Sequence, residues 1–210
     1  IYCGVTDLVY SSAAMNTTYT TDSTPPSTSI ISVAGKTAQP YYDSVDDGWT
    51  NISVSGESGM LCKWSTANIS YTGMTNDCTI TGNNATCSPD GRAQSAAYNF
   101  YVGCSDSLGN VQPSLQDLNA SVILDWTAPT TYDNSTTALA LPGYVVSMTE
   151  LDNFFAAPLL TTMYCTSPPS AVSCIPSTEI ASGQLINFTT RGQNVLRYNS
   201  SDPAGNWQVI

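Results

Sequence analysis

The chain has 210 residues, of which 41% are apolar and 10% charged, and its 16 acidic and 5 basic residues give a net charge of −11. The apolar content argues against a disordered chain, and the negative charge without basic clusters argues against a nucleic-acid partner. No apolar run approaches the ~20 residues that span a bilayer, and the start without Met or a charged leader predicts a mature, processed protein.

Short runs of alternating apolar and polar residues follow one another along the chain, bounded by Gly, Pro, Asn and Asp. They are rich in β-branched and aromatic residues, and the pattern is typical of an all-β sandwich. Only 147–160 has a helical alternative, and because Pro158 interrupts it we expect an irregular connection or a single turn. The predicted strands lie at 27–33, 50–56, 59–65, 77–82, 97–104, 120–126, 136–141, 143–148, 160–167, 183–190 and 194–201.

Two sequence features occur twice and define an internal repeat. Pro-containing hinges at 20–29 and 123–132 match at an offset of 103, and the turn Ser-Asp-x-x-Gly-Asn-x-Gln occurs at 105–112 and again at 201–208, an offset of 96. Together they predict a repeat of about 100 residues, with one sandwich per unit. The predicted organisation is an arm at 1–21, a first Ig-like domain at 22–126 and a second at 127–210.

The motifs of the first repeat carry a family resemblance. The hinge DSTPP at 22–26, CKWST at 62–66 and YVGCSDSLGN at 101–110 resemble the Ig-like and fibronectin-type-III-like repeats of bacterial and archaeal cell-surface proteins. The resemblance implies tandem β-sandwiches and an extracellular role, and it implies no catalytic residue. The second repeat departs from the pattern, since Ser200 stands where the first repeat has Cys104.

Seven cysteines without any histidine favour disulfides over a zinc site, and disulfides indicate an oxidising compartment. Alternation points Cys62 and Cys104 inward, which predicts a bridge across the sandwich, while Cys165 is interpreted as the counterpart of Cys62. Cys3 has no assigned partner: it is buried, bonded to another chain, or competes for a partner in the second repeat. The expected pairs are Cys62–Cys104, Cys78–Cys87 and Cys165–Cys174.

Eight Asn-x-Ser/Thr sequons occur, about twice the number that this composition gives by chance. In several predicted strands the sequon asparagine alternates with apolar neighbours and so points to solvent, as Asn187 does between Ile186 and Phe188. We therefore expect covalent N-glycans and an extracellular or cell-surface location. The sequon residues are Asn16, Asn51, Asn68, Asn84, Asn119, Asn134, Asn187 and Asn199.

The sequence predicts neither an enzyme nor a cofactor. Without histidine the commonest general base is missing, and the cysteines have structural roles. Asp43, Asp46 and Asp47 precede a glycine and offer carboxylate oxygens suited to Ca²⁺, but their spacing is not that of an EF-hand. An acidic turn between the first two strands of the sandwich is the preferred interpretation.

The second repeat lacks a counterpart of the last predicted strand of the first, and the arm resembles that strand: 15–22 aligns with 118–125. This predicts donor-strand complementation, in which the arm of one subunit completes the second domain of the next and builds a head-to-tail homopolymer. The architecture resembles donor-strand-linked filaments, including archaeal threads and bundling pili. Candidate donor-strand residues are Ile1, Cys3, Val5, Leu8, Tyr10, Met15 and Tyr19.

Two other functions stay open. The chain is alternatively a segment of a larger adhesin or surface-layer protein, in which a later strand completes the second domain. Or it is a surface module that binds glycans or calcium through aromatic and acidic side chains. Host or neighbouring-cell surfaces are candidate partners besides identical subunits.

Overall fold

The computed structural model describes residues 21–135, 143–168 and 174–209, so residues 1–20 of the arm and the predicted strand at 136–141 lie outside the described residues. The chain is nearly all β, which confirms the predicted fold class. Within these ranges helical structure is confined to single 3₁₀ turns at Tyr71–Gly73, Ser114–Gln116 and Ala157–Leu159. The strands are β1 Ser29–Val33, β2 Tyr41–Asp43, β3 Ile52–Ser55, β4 Leu61–Ser65, β5 Asn76–Asp77, β6 Thr79–Thr81, β7 Asn84–Cys87, β8 Ala96–Ser105, β9 Leu118–Leu124, β10 Thr130–Asp133, β11 Tyr144–Leu151, β12 Thr161–Ser167, β13 Thr178–Ile180, β14 Leu185–Phe188 and β15 Val195–Ser201.

Residues 22–126, here called the first repeat, contain two sheets with strand orders β1-β3-β7-β6 and β2-β9-β8-β4-β5. Alternation explains the core between them, because Ile52 and Val54 of β3 are fully buried while the serines between and after them are less so. From the other sheet Phe100 is fully buried and meets Trp64 edge to face, with ring centroids 6.0 Å apart. Each such side chain stabilises the fold by roughly 1.5–3 kcal/mol through burial alone.

Residues 127–209, the second repeat, form two three-stranded sheets with orders β10-β11-β14 and β13-β12-β15. Their core is smaller and consists of Met148, Ile180 and Ile186 with half-buried neighbours. The expectation for 147–160 was only partly right, because Ser147–Leu151 completes β11 and a single 3₁₀ turn follows at Ala157–Leu159. Met148 and Glu150 are buried on that strand, so its alternating pattern outweighs the helical one.

Equivalent hydrogen bonds tie each Asp-x-x-Gly-Asn turn to the hinge that begins its repeat. The side-chain amide of Asn110 donates to the backbone carbonyl of Asp22 (3.1 Å), and that of Asn206 donates to the carbonyl of Asp125 (2.7 Å). In each turn the aspartate also accepts the amide of its asparagine, as an Asx-type turn requires. The two sequence offsets therefore correspond to the same contact in both repeats.

Asp117, just before β9, gives the first repeat a pH-dependent stability. Burial raises its pKa from 3.8 to about 6, and its Oδ1 is buried without a hydrogen-bond partner. A raised pKa means that the folded chain holds this proton more tightly than the unfolded chain does. The stabilising contribution is therefore complete below the unfolded pKa, near 4, and is lost as the pH rises through about 6.

We expect Asp117→Asn to remove this dependence, since the amide carries no charge at any pH. Urea unfolding midpoints of both proteins, measured from pH 4 to pH 7, should move apart as the pH rises, with the variant increasingly favoured. A difference that stays constant over this range would contradict the assignment.

Candidate assembly edge and repeat junction

Among the described residues, one side of β15 is unpaired over most of its length. The strand lies at the end of its sheet and pairs with β12 on one side only. On the other side, Gln208 N donates to the carbonyl of Ser200 (2.8 Å), and Ser201 bridges Trp207. Within the described ranges no strand pairs with Val195–Asn199 on that side, which we call the free edge.

The corresponding strand of the first repeat has no such edge. There β8 lies between β4 and β9, and the pairing with β9 runs from Ala96 opposite Leu124 to Val102 opposite Leu118. Ala120 and Val122 of β9 point into the core and are fully buried or nearly so. The last strand thus supplies both backbone partners and core side chains in the first repeat.

Without such a strand among the described residues, the core of the second repeat stays partly open. Leu196 and Tyr198 of β15 pack against the buried cluster of the second repeat but are only half-buried. Burial, together with the bond from its hydroxyl to Asp133 Oδ2 (2.7 Å), raises the pKa of Tyr198 to about 12. The free edge therefore borders apolar surface that an added strand would cover.

Cys62–Cys104, Cys78–Cys87 and Cys165–Cys174 lie at disulfide-bonding distance in the structure. The expectation that Cys62–Cys104 crosses the sandwich is wrong. The two residues lie directly opposite each other on β4 and β8 of one sheet, with Cα atoms 4.1 Å apart. Both side chains do face the core, but as neighbours on the same sheet face. Cys3 lies outside the described residues.

Cys165 is not the counterpart of Cys62, which corrects a second expectation. Ser200, which replaces Cys104, lies opposite Thr162, whereas Cys165 lies opposite Arg197. The second repeat therefore replaces the first disulfide by a Thr–Ser pair. Ser200 is fully buried. Its hydroxyl forms a hydrogen bond with the hydroxyl of Thr131 (2.5 Å) and donates another to the side-chain oxygen of Gln208 (3.3 Å). These bonds join Ser200 to β10 and to the turn after β15, not to Thr162 on β12.

Six sequon asparagines are exposed in the structure: Asn51, Asn68, Asn84, Asn119, Asn134 and Asn187. Asn199 is half-buried, and its Oδ1 is buried without a hydrogen-bond partner, so it is the least accessible described sequon. Asn16 lies outside the described residues. N-glycosylation itself stays a prediction.

The preferred interpretation of Asp43, Asp46 and Asp47 as one acidic turn is wrong for Asp43. This residue belongs to β2, which pairs in parallel with β9, and its buried carboxylate accepts the hydroxyl of Thr50 (2.6 Å). Asp46 and Asp47 are exposed, and Asp47 Oδ1 accepts the backbone amide of Trp49 (3.2 Å). The carboxylates of Asp43 and Asp47 thus each have a hydrogen-bond donor close by in the chain.

The two repeats meet in a small apolar cluster. Phe155, 7% exposed, packs with Leu160 and Ala204 of the second repeat against Tyr42 and Ile123 of the first. The rings of Phe155 and Tyr42 lie edge to face with centroids 5.9 Å apart.

Polar contacts reinforce this junction: the side-chain amide of Asn153 donates to Asp125 Oδ1 (3.1 Å) and to the hydroxyl of Ser95. Sequence reasoning missed a group of three carboxylates that lie together at this junction. Asp125, Asp152 and Asp202 lie 27 and 50 positions apart and match no motif. The only sequence signal was indirect, since the hinge and the turn that carry Asp125 and Asp202 are the two repeated features.

Comparison with known proteins gives no family: no protein-family model matches the chain, and no curated protein matches it. Function is therefore inferred from geometry. The three disulfides indicate a non-cytoplasmic, oxidising compartment. Over the described ranges no helix is long and apolar enough to cross a membrane. All the predicted donor-strand residues, from Ile1 to Tyr19, lie outside the described residues.

Proposed function

We propose that this chain is a structural subunit of an extracellular filament, joined head to tail by strand addition. The observation that supports it is the free edge at Val195–Asn199, at the place where the first repeat is completed by β9. Unpaired strand edges bind other strands, and proteins that do not use them protect them. The proposed occupant is residues 15–21 of a second copy, because this segment aligns with β9 itself.

The two repeat offsets predict the register of the added strand. Where Ala120 and Val122 point into the first core, Thr17 and Tyr19 would point into the second, with Thr17 opposite the half-buried Leu196 and Tyr19 opposite Asn194. Asn16 takes the outward position of the exposed Asn119, which leaves its sequon accessible.

The same offsets make the contact propagate. In the first repeat β9 leads directly into Asp125 and the second repeat, so an added 15–21 strand leads directly into Asp22 and the first repeat of its own copy. Every subunit would then follow its predecessor as the second repeat follows the first. Donor and acceptor surfaces differ, so the contact is heterologous and need not close.

An engineered disulfide tests this register. Ser121 and Asn99 lie opposite each other on the outer face of β9 and β8, with the hydroxyl of Ser121 donating to Asn99. Their counterparts are Thr18 and Val195. In a Cys3→Ser background, Thr18→Cys combined with Val195→Cys should give a ladder of covalent multimers on non-reducing gels.

Moving one cysteine by a single position provides the control. Thr17→Cys with Val195→Cys places the two thiols on opposite faces of the strand pair and should give no ladder. Deleting 1–21 from the same protein should leave monomers in size-exclusion chromatography. A full-length Thr18/Val195 double variant that runs only as a monomer would overturn the proposal and favour the larger-adhesin alternative.

A further inference from the structure

Three carboxylates converge where the two repeats meet. Asp125 follows β9, Asp152 follows β11 and Asp202 follows β15, and one oxygen from each lies within 4.8 Å of the others. Asp125 is fully buried and Asp202 is 6% exposed. Strand ends of both repeats thus bring three acidic side chains to one place.

Hydrogen bonding fixes these carboxylates but leaves one oxygen unused on Asp125 and one on Asp152. Oδ1 of Asp152 accepts hydrogen bonds from the backbone amides of Phe154 (2.8 Å) and Phe155 (2.6 Å). Oδ1 of Asp125 accepts one from the backbone amide of Thr127 and one from the side-chain amide of Asn153. In contrast, Asp125 Oδ2 and Asp152 Oδ2 are buried and have no partner. An unpartnered oxygen on a fully buried carboxylate is costly, and it is the observation that points to a ligand.

No basic side chain balances this charge. The described residues contain one salt bridge, between Lys63 and the exposed Asp77, on the first repeat. Like charges held this close repel one another, and a cation bound between them would offset that repulsion.

We propose that Asp125, Asp152 and Asp202 bind a Ca²⁺ ion that joins the two repeats. The donor set is carboxylate oxygen alone, which suits a hard cation, and all three residues lie in loops that can accommodate the irregular, high coordination of Ca²⁺ better than the strict octahedron of Mg²⁺. Backbone carbonyls or water would complete the shell. The ion would connect the hinge of one repeat to two loops of the next.

The first repeat offers a matched control. Asp106 occupies the place of Asp202 in the other Asp-x-x-Gly-Asn turn, and its partner Asp22 occupies that of Asp125. Among the described residues no third carboxylate joins this pair. Asp106→Asn should therefore disturb an equivalent turn without removing a metal ligand.

The test is calorimetric titration of the chelator-treated full chain with CaCl₂, followed by thermal unfolding with and without Ca²⁺. We expect one saturable site and a rise in the unfolding temperature for the wild type and for Asp106→Asn. Asp152→Asn keeps an oxygen for the amides of Phe154 and Phe155 but loses the charge, so its Ca²⁺ affinity should fall at least ~10-fold. MgCl₂ should bind more weakly.

Stability without metal separates a ligand from a merely structural residue. Metal-free Asp152→Asn should unfold at the wild-type temperature or higher, because it relieves repulsion between carboxylates. A wild type without saturable Ca²⁺ heat, tighter binding of Mg²⁺ than of Ca²⁺, or an Asp152→Asn variant that binds Ca²⁺ like the wild type would each overturn the proposal.

Discussion

Replacing Cys62 by Ala and Cys104 by Ser is expected to lower the free energy of unfolding of the first repeat by about 4 kcal/mol. The reason is that the disulfide joins cysteines 42 residues apart, and without it the unfolded chain regains the conformational entropy of that loop. Serine is the residue that the protein itself uses at the corresponding place, Ser200. Urea unfolding followed by tryptophan fluorescence, to which Trp64 in the same core contributes, would measure the loss.

The hairpin disulfide of the same repeat gives the comparison. Cys78 and Cys87 are only 9 positions apart, so replacing both by Ala should cost about 2.6 kcal/mol on the same entropic basis. Removing the Cys62–Cys104 disulfide should therefore lower the free energy of unfolding more than removing Cys78–Cys87. Equal losses, or a larger loss for the hairpin, would contradict the expectation.

Phe155→Ala is expected to uncouple the two repeats. Phe155 is the buried ring of the junction cluster, and truncating a buried phenylalanine costs roughly 3–5 kcal/mol. Because it contacts Tyr42 of the first repeat, the loss falls on the coupling between repeats as well as on the second repeat. Differential scanning calorimetry should show two separated transitions in the variant.

Phe155→Leu is the matched control, since it keeps apolar volume at the junction and should retain most of the coupling. Loss of coupling in both variants would indicate that the ring itself is required. A Phe155→Ala variant with the wild-type transition would show that the cluster does not hold the repeats together.

Alternation along the chain was enough to predict the all-β fold, because strand periodicity is a local property. It also showed correctly that Cys62 and Cys104 face the core. It could not show which strands are neighbours, and two inward residues can lie on one sheet as well as on opposite sheets. The structure puts them side by side on β4 and β8.

Matching residues by type gave a wrong equivalence where the pairing register of the strands determines the correct one. Matching Cys165 to Cys62 seemed natural because both are cysteines, but the pairing of β12 with β15 gives that place to Thr162. The sequence did not predict the acidic junction for a related reason. Asp152 lies in an irregular connection, and its approach to Asp125 depends on how two repeats pack, which no periodicity encodes.

The pairing of β8 with β9 also determines how such a chain would carry tension. The last strand enters at Leu118 and leaves at Leu124 into the next repeat, so a pull along the chain acts parallel to the strand. Its backbone hydrogen bonds run perpendicular to that direction and would be loaded together instead of one after another. A subunit joined to the free edge in the same register would likewise resist pulling in shear, through the backbone hydrogen bonds that it makes with β15.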